Sequence, residues 1–116
     1  MANTRATANR SALSRNSREA ITLLGQLIQA NRIKRKIGVE ELATRVGISR
    51  DMLYRIERGD PRCNIGAVFE AATIVGVPLF EEEPGRLSSR IREQAELLRL
   101  LPKAVRKSDA VVNDDF

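Results

Sequence analysis

The stretch "VEELATRVGISRDMLYRIERG", residues 39–59, sets two short apolar-periodic segments on either side of one glycine. Leu42 and Val46 stand one helical turn apart in the first segment, and Leu53 and Ile56 do so in the second. Each segment therefore reads as a helix with one apolar face. Gly47 between them can take positive φ at little steric cost, and Ala43, four residues earlier, is small enough to let two helices approach closely. The expectation is helix-turn-helix geometry, with Leu42 and Val46 packed on Leu53 and Ile56.

A helical wheel sharpens the second helix. With Arg50 at zero, Tyr54 lies at about 40°, Arg58 at about 80°, Asp51 at about 100° and Arg55 at about 140°, while Met52, Leu53 and Ile56 fall between about 200° and 300°. One face is apolar and the opposite face is wholly hydrogen-bonding. Ser49 stands where an N-cap belongs, which points the positive end of the helix outward with free backbone N–H groups. Such a helix fits the major groove of DNA, where Arg donates to guanine O6 and N7 and Asp accepts from cytosine N4. An ordinary mixed-charge surface helix shares the polar face but not the preceding helix and glycine.

The flanking sequence extends the helical pattern. Asn16 followed three residues later by Glu19 resembles a capping box that opens a helix of about five turns, with Ile21, Leu23, Leu24, Leu27 and Ile28 on one face and Gly38 at its end. "DPR" at 60–62 is a turn, and Asn64 caps a helix whose Ile65, Val68, Phe69, Ala72 and Val75 form a stripe before Gly76 and Pro78 close it. After the acidic loop "EEEPG" comes a last helix, "RLSSRIREQAELLRLL", that Pro102 terminates. No alternation of strand length is present, so the reading is all-α. Residues 1–15 carry Arg5, Arg10 and Arg15 without an acid and are expected to be disordered when free, as a loose tail or as an arm that gains order on DNA. The chain thus divides into a basic arm (1–15), a helical domain (16–101) and a C-terminal tail (102–116).

Composition narrows the function classes. Among 116 residues there is one cysteine, Cys63, and no histidine, which excludes an internal disulfide and a Cys/His metal cage and removes the usual general base of an enzyme. No catalytic group, metal site or cofactor is proposed, and no apolar run approaches a membrane span, so a cytoplasmic protein is expected. Residues 1–62 hold thirteen Lys/Arg against six Asp/Glu, and residues 63–116 hold seven against nine. The front half suits a polyanion and the back half does not.

Taken together, "LGQLIQANRIKRKIGVEELATRVGISRDMLYRIERGD" resembles the XRE-type, phage-repressor-like helix-turn-helix domain over about residues 18–80. The resemblance implies a five-helix fold, with Arg50, Asp51 and Arg55 as base-reading positions, Ser49 and Tyr54 beside them, and Asn64 on a phosphate. Arg58 shares their exposed face on the wheel. Arg32 and Glu57 look like the family's ion pair that locks the first helix to the recognition helix. Two positions depart from the pattern: Gly38-Val39 replaces the usual Ser/Thr-Gln opening of the second helix, with loss of a side-chain phosphate contact, and Asn31 replaces an apolar residue at some cost to the core.

One recognition helix reads few base pairs, so a twofold dimer on a palindromic operator is expected. Leu87, Ile91, Gln94, Leu98 and Leu101 form a stripe widened by Leu97 and Leu100, which either makes the dimer interface or covers the fourth helix. Repression by occupying an operator follows, in the bacterial cytoplasm at the nucleoid. The ending "LPKAVRKSDAVVNDDF" looks like that of the antitoxin in HipBA-type modules, whose partner is a HipA-like serine/threonine kinase toxin. That likeness implies a toxin-binding tail of Val111, Val112, Asp114, Asp115 and Phe116. A stand-alone or prophage repressor is the alternative, and an adaptor or RNA binder a more distant one.

Overall fold

Ser14 opens the first helix: its Oγ accepts from the Ser17 N–H at 3.1 Å, and α1 runs Arg15–Lys34. In this computed structural model residues 12–80, 83 and 85–105 are described, and they are helical without a strand. Three further helices follow in the first compact unit, α2 (Val39–Val46), α3 (Arg50–Glu57) and α4 (Ile65–Val75), and α5 (Leu87–Leu100) lies in the second. The units are Met1–Glu81 and Glu82–Phe116, so the span expected as one domain, 16–101, parts between α4 and α5. The five helices expected are present, four of them before residue 80.

All four helices of the first unit end alike. A residue with positive φ, namely Lys36, Gly47, Gly59 or Gly76, follows the helix. The next N–H then reaches back to a carbonyl five residues earlier, as Ile37 to Arg32 (3.0 Å), Ile48 to Ala43 (2.9 Å), Asp60 to Arg55 (3.0 Å) and Val77 to Ala72 (2.8 Å). This Schellman arrangement satisfies carbonyls that a helix terminus otherwise leaves open. It also corrects the end of α1, which stops at Lys34 because Lys36 performs the left-handed turn; Gly38 is instead the N-cap of α2 and, lacking a side chain, makes no cap hydrogen bond.

Ile28, Leu42, Leu53 and Val75 are fully buried and share the core with Ala43, Ile56, Ala71, Ala72 and Val77. Burial of each large side chain contributes about 1.5–3 kcal/mol. The face of α1 turned to that core differs from the expected one. Ile21, Leu24, Gly25, Ile28 and Arg32 face inward, whereas Leu23 and Leu27 are 54% and 43% exposed. Gly25 is the reason: a Cβ there would lie 2.5 Å from the Ile56 carbonyl oxygen and 2.8 Å from that of Glu57, so α1 meets α3 backbone to backbone on that side. Two more expectations change. Glu19 makes no cap and pairs with Arg15 at 4.0 Å on the surface, and Ile65 in the first turn of α4 is 68% exposed.

Asn31 gains a use where a loss was expected. Its Nδ2 donates to the Val75 carbonyl at 3.1 Å, and Arg35 Nη1 reaches the Ile74 carbonyl at 3.4 Å. One donor from α1 and one from its C-cap therefore satisfy the C-terminal carbonyls of α4, where the helix dipole is negative.

In the second unit no residue of α5 is buried, and Leu87, Ile91, Leu97, Leu98, Leu100 and Leu101 are exposed. Glu96 and Arg99 pair one turn apart on its surface. Leu101, its C-cap, is extended (φ −86°, ψ 150°), the conformation that a following proline imposes. No helix of the described residues is long and apolar enough to cross a membrane.

Candidate nucleic-acid interface

The tip of α3 is built by one hydroxyl. Ser49 Oγ accepts from the Met52 N–H at 3.0 Å, and the Ser49 carbonyl accepts from Leu53 at 3.1 Å to start the helix. The first-turn N–H groups of Arg50 and Asp51 have no acceptor within the helix and stand at its exposed positive end. Leu53, Ile56 and Glu57 point inward, and Met52 is half-buried. Arg50, Asp51, Tyr54 and Arg58 are exposed on the opposite side, with Arg58 as the C-cap.

What holds α3 at this orientation is contact with α1. Arg32 Nε donates to Glu57 Oε2 at 2.7 Å and Nη2 to Oε1 at 3.2 Å, both residues being buried. The remaining Arg32 nitrogen, Nη1, donates to the Ile37 carbonyl at 3.1 Å, which ties the same guanidinium to the turn before α2. A buried pair of this geometry is held on both oxygens, and loss of either partner strands a charge. Glycine makes the approach possible on both sides of that pair. Besides Gly25, a Cβ on Gly59 would lie 2.7 Å from Thr22 Cα, and Gly59 has φ of 79°.

Arg55 occupies a different setting from its neighbours on the wheel. Its side chain is 36% exposed, with Nη1 4.0 Å from Asp51 Oδ2, Nε 3.7 Å from Asp60 Oδ2 and Nη2 4.0 Å from Met52 Sδ. Its Nε is buried and has no hydrogen-bond partner among the described residues. Asp60 is engaged by Arg62, whose backbone N–H and Nε donate to Oδ1 (2.9 and 3.1 Å) and whose Nη2 donates to Oδ2 (3.1 Å). Those bonds, Arg62's side chain foremost, hold the Asp60 carboxyl at about 2, with the charges of Arg62 and Arg55 assisting against desolvation. The Arg62 guanidinium is pushed up in return.

Asn64 has a divided role. Its Oδ1 accepts from the Ala67 N–H at 3.1 Å as the N-cap of α4, which leaves the Nδ2 donors for another acceptor. Residues 1–11 of the basic arm and the tail positions Val111, Val112, Asp114, Asp115 and Phe116 lie outside the described residues. Among the described residues no group of His, Cys, Asp and Glu could hold a metal ion. Sequence reasoning found the exposed face of α3, but it missed Asp60 as the partner of Arg55 and Arg62 as the anchor of Asp60. The signal present was an acid immediately after the left-handed Gly59.

Neither a curated protein nor a solved structure matches the chain. Residues 23–84, just over half of its length, match the family described as helix-turn-helix domain, and they include α2, α3, the turn between them and the Arg32–Glu57 pair. The chain belongs to this helix-turn-helix family of DNA-binding regulators.

Proposed function

We propose that the protein is a transcriptional repressor that inserts α3 into the major groove of operator DNA. Arg50, Asp51, Tyr54, Arg55 and Arg58 contact base edges, Ser49 and the free amides at the helix tip lie beside a phosphate, and Asn64 donates to another. The observation that carries this reading is the division of α3, whose inner face is buried or ion-paired while its outer face consists of exposed hydrogen-bonding groups. The excess of seven positive charges in residues 1–62 supplies the non-specific attraction to phosphates. Selection of a preferred duplex from a randomised library, followed by titration of salt, tests it. A preferred sequence with affinity that falls steeply as salt rises is expected, and failure to enrich any sequence would refute the reading.

The repressor acts as a twofold dimer on a palindrome. The exposed stripe of Leu87, Ile91, Leu98 and Leu101 on α5 supports self-association, because an apolar helix face without cover is unfavourable in water. Sedimentation showing a monomer at micromolar concentration would remove this model.

The finer role is that of an antitoxin of a HipBA-type module, which binds a HipA-like kinase through Val111, Val112, Asp114, Asp115 and Phe116 and represses its own operon with that kinase. The support is the resemblance of the ending to such antitoxins, together with its chemistry: an aromatic residue among carboxylates suits a pocket rimmed by positive charge. Deletion of residues 111–116 should release the kinase and leave DNA binding intact. If the kinase still co-purifies, or if no kinase gene adjoins this one, a stand-alone repressor is the correct reading.

A further inference from the structure

The four helices of the first unit close with the same hydrogen bonds, yet they differ in the residue after the left-handed position. Three carry Ile37, Ile48 and Val77, all packed against the core, and α3 carries Asp60. A carboxylate at this place forgoes the apolar contact that usually accompanies the motif. Its side chain is nonetheless only 12% exposed and lies between two guanidinium groups. Packing does not account for an acid here, whereas the neighbouring arginines do.

Arg55 presents two edges. The Nε edge turns inward to Asp60, while Nη1 lies beside Asp51 on the exposed face of α3 and Nη2 beside Met52 Sδ. At 3.7 Å the Arg55 Nε is attracted by Asp60 but lies beyond hydrogen-bond range. Three donors of Arg62 already engage that carboxylate. Asp60 is thereby fixed in place while Arg55 is steered without being locked, so its outer edge can still settle onto a base.

On this basis we propose that Asp60 is a positioning residue for base recognition: anchored by Arg62, it holds the inner edge of Arg55 and leaves the Nη1–Nη2 edge to face guanine. The gain is preorganisation, since an arginine already confined loses less freedom on meeting its base. The inference rests on the reading of α3 as the base-reading helix.

The test uses the full-length protein and the duplex that the wild type enriches from a randomised library, with each base pair of that duplex varied in turn. Asp60→Asn should lower the ratio of selected to scrambled affinity by about tenfold, with the loss concentrated at the same base pair whose discrimination Arg55→Ala abolishes. In the Arg55→Ala background the same change should add less than about twofold, because the partner through which it acts is gone. Affinity for scrambled duplex should hold or rise, since a negative charge is removed near phosphates; a folding defect moves it the other way. If Asp60→Asn does not fold, Asp60→Ser, which keeps an acceptor for the Arg62 N–H without the charge, is held to the same criteria. Should Arg55→Ala keep full discrimination, the base-reading role of Arg55 fails and the positioning role with it. Should Arg55→Ala lose discrimination while the Asp60 variants keep it, the positioning role alone is wrong.

Discussion

Two arginine–carboxylate clusters meet α3 from opposite sides, and their surroundings assign them different work. On the inner side Arg32 and Glu57 form a buried bidentate pair, with each nitrogen of the guanidinium engaged. On the outer side Arg55, Asp51, Asp60 and Arg62 stand near the surface, with contacts between 2.9 and 4.0 Å and one buried nitrogen left without a hydrogen bond. Glu57 and Arg55 are two residues apart on one short helix, so propensity and local sequence do not separate them. Burial does: a fully engaged pair away from water holds the fold, while an incompletely engaged one near water remains available to a ligand.

Removal of one member from each cluster should expose that difference. Glu57→Ala, or Arg32→Ala, leaves a buried charge unpaired and should destabilise the fold by about 3–5 kcal/mol in denaturant unfolding. A loss below about 1 kcal/mol would place the pair in water and erase the contrast. Arg55→Ala should instead leave unfolding nearly unchanged and cost about 1–3 kcal/mol of specific DNA affinity. Equal effects of the two substitutions on unfolding would break the comparison from the other side.

A smaller effect belongs to the helix tip. Ser49→Ala removes the acceptor for the Met52 N–H and should cost about 1 kcal/mol of stability, measurable as a shift of the unfolding midpoint. Smallest is the acid response of the outer cluster. The Asp60 carboxyl titrates at about 2 in the fold against 3.8 ordinarily, so its ionised form favours the folded state. That contribution is complete above the ordinary value and fades as pH falls from about 4 towards about 2, because the unfolded chain takes up the proton first. Asp60→Asn should flatten the acid limb of the stability profile in that window; an unaltered limb would detach Asp60 from Arg62.

Which of these features the sequence reveals follows from how far apart their causes lie. Gly47, Ser49, Leu53 and Ile56 act within one turn of themselves, so spacing and cap chemistry locate α2, α3 and the exposed face of α3 directly. The end of α1 is obscured because Lys36 takes the left-handed conformation ordinarily left to glycine. The buried face of α1 is misjudged because five aliphatic residues define a stripe about 160° wide, within which periodicity alone does not select. The choice between Leu23 and Gly25 is made by α3, whose carbonyls admit only a residue without a Cβ. Asn31 likewise finds its acceptor on Val75, 44 residues away, and no local pattern announces that. At the candidate site the exposed residues are legible, whereas the coupling of Arg55 to Asp60 depends on a turn whose return path only the fold fixes.

Gly25 carries a consequence beyond packing. Because α1 holds α3 through the close backbone approach at Gly25 and the buried Arg32–Glu57 pair, the seat of the helix is set from its inner side. Arg50, Asp51, Tyr54 and Arg58 are exposed on the opposite side. On the proposed reading of α3, the domain is a holder with an exchangeable key: rewriting those four positions should address new operators, while Gly25, Gly59, Arg32 and Glu57 stay as the fitting into which any such key must slide.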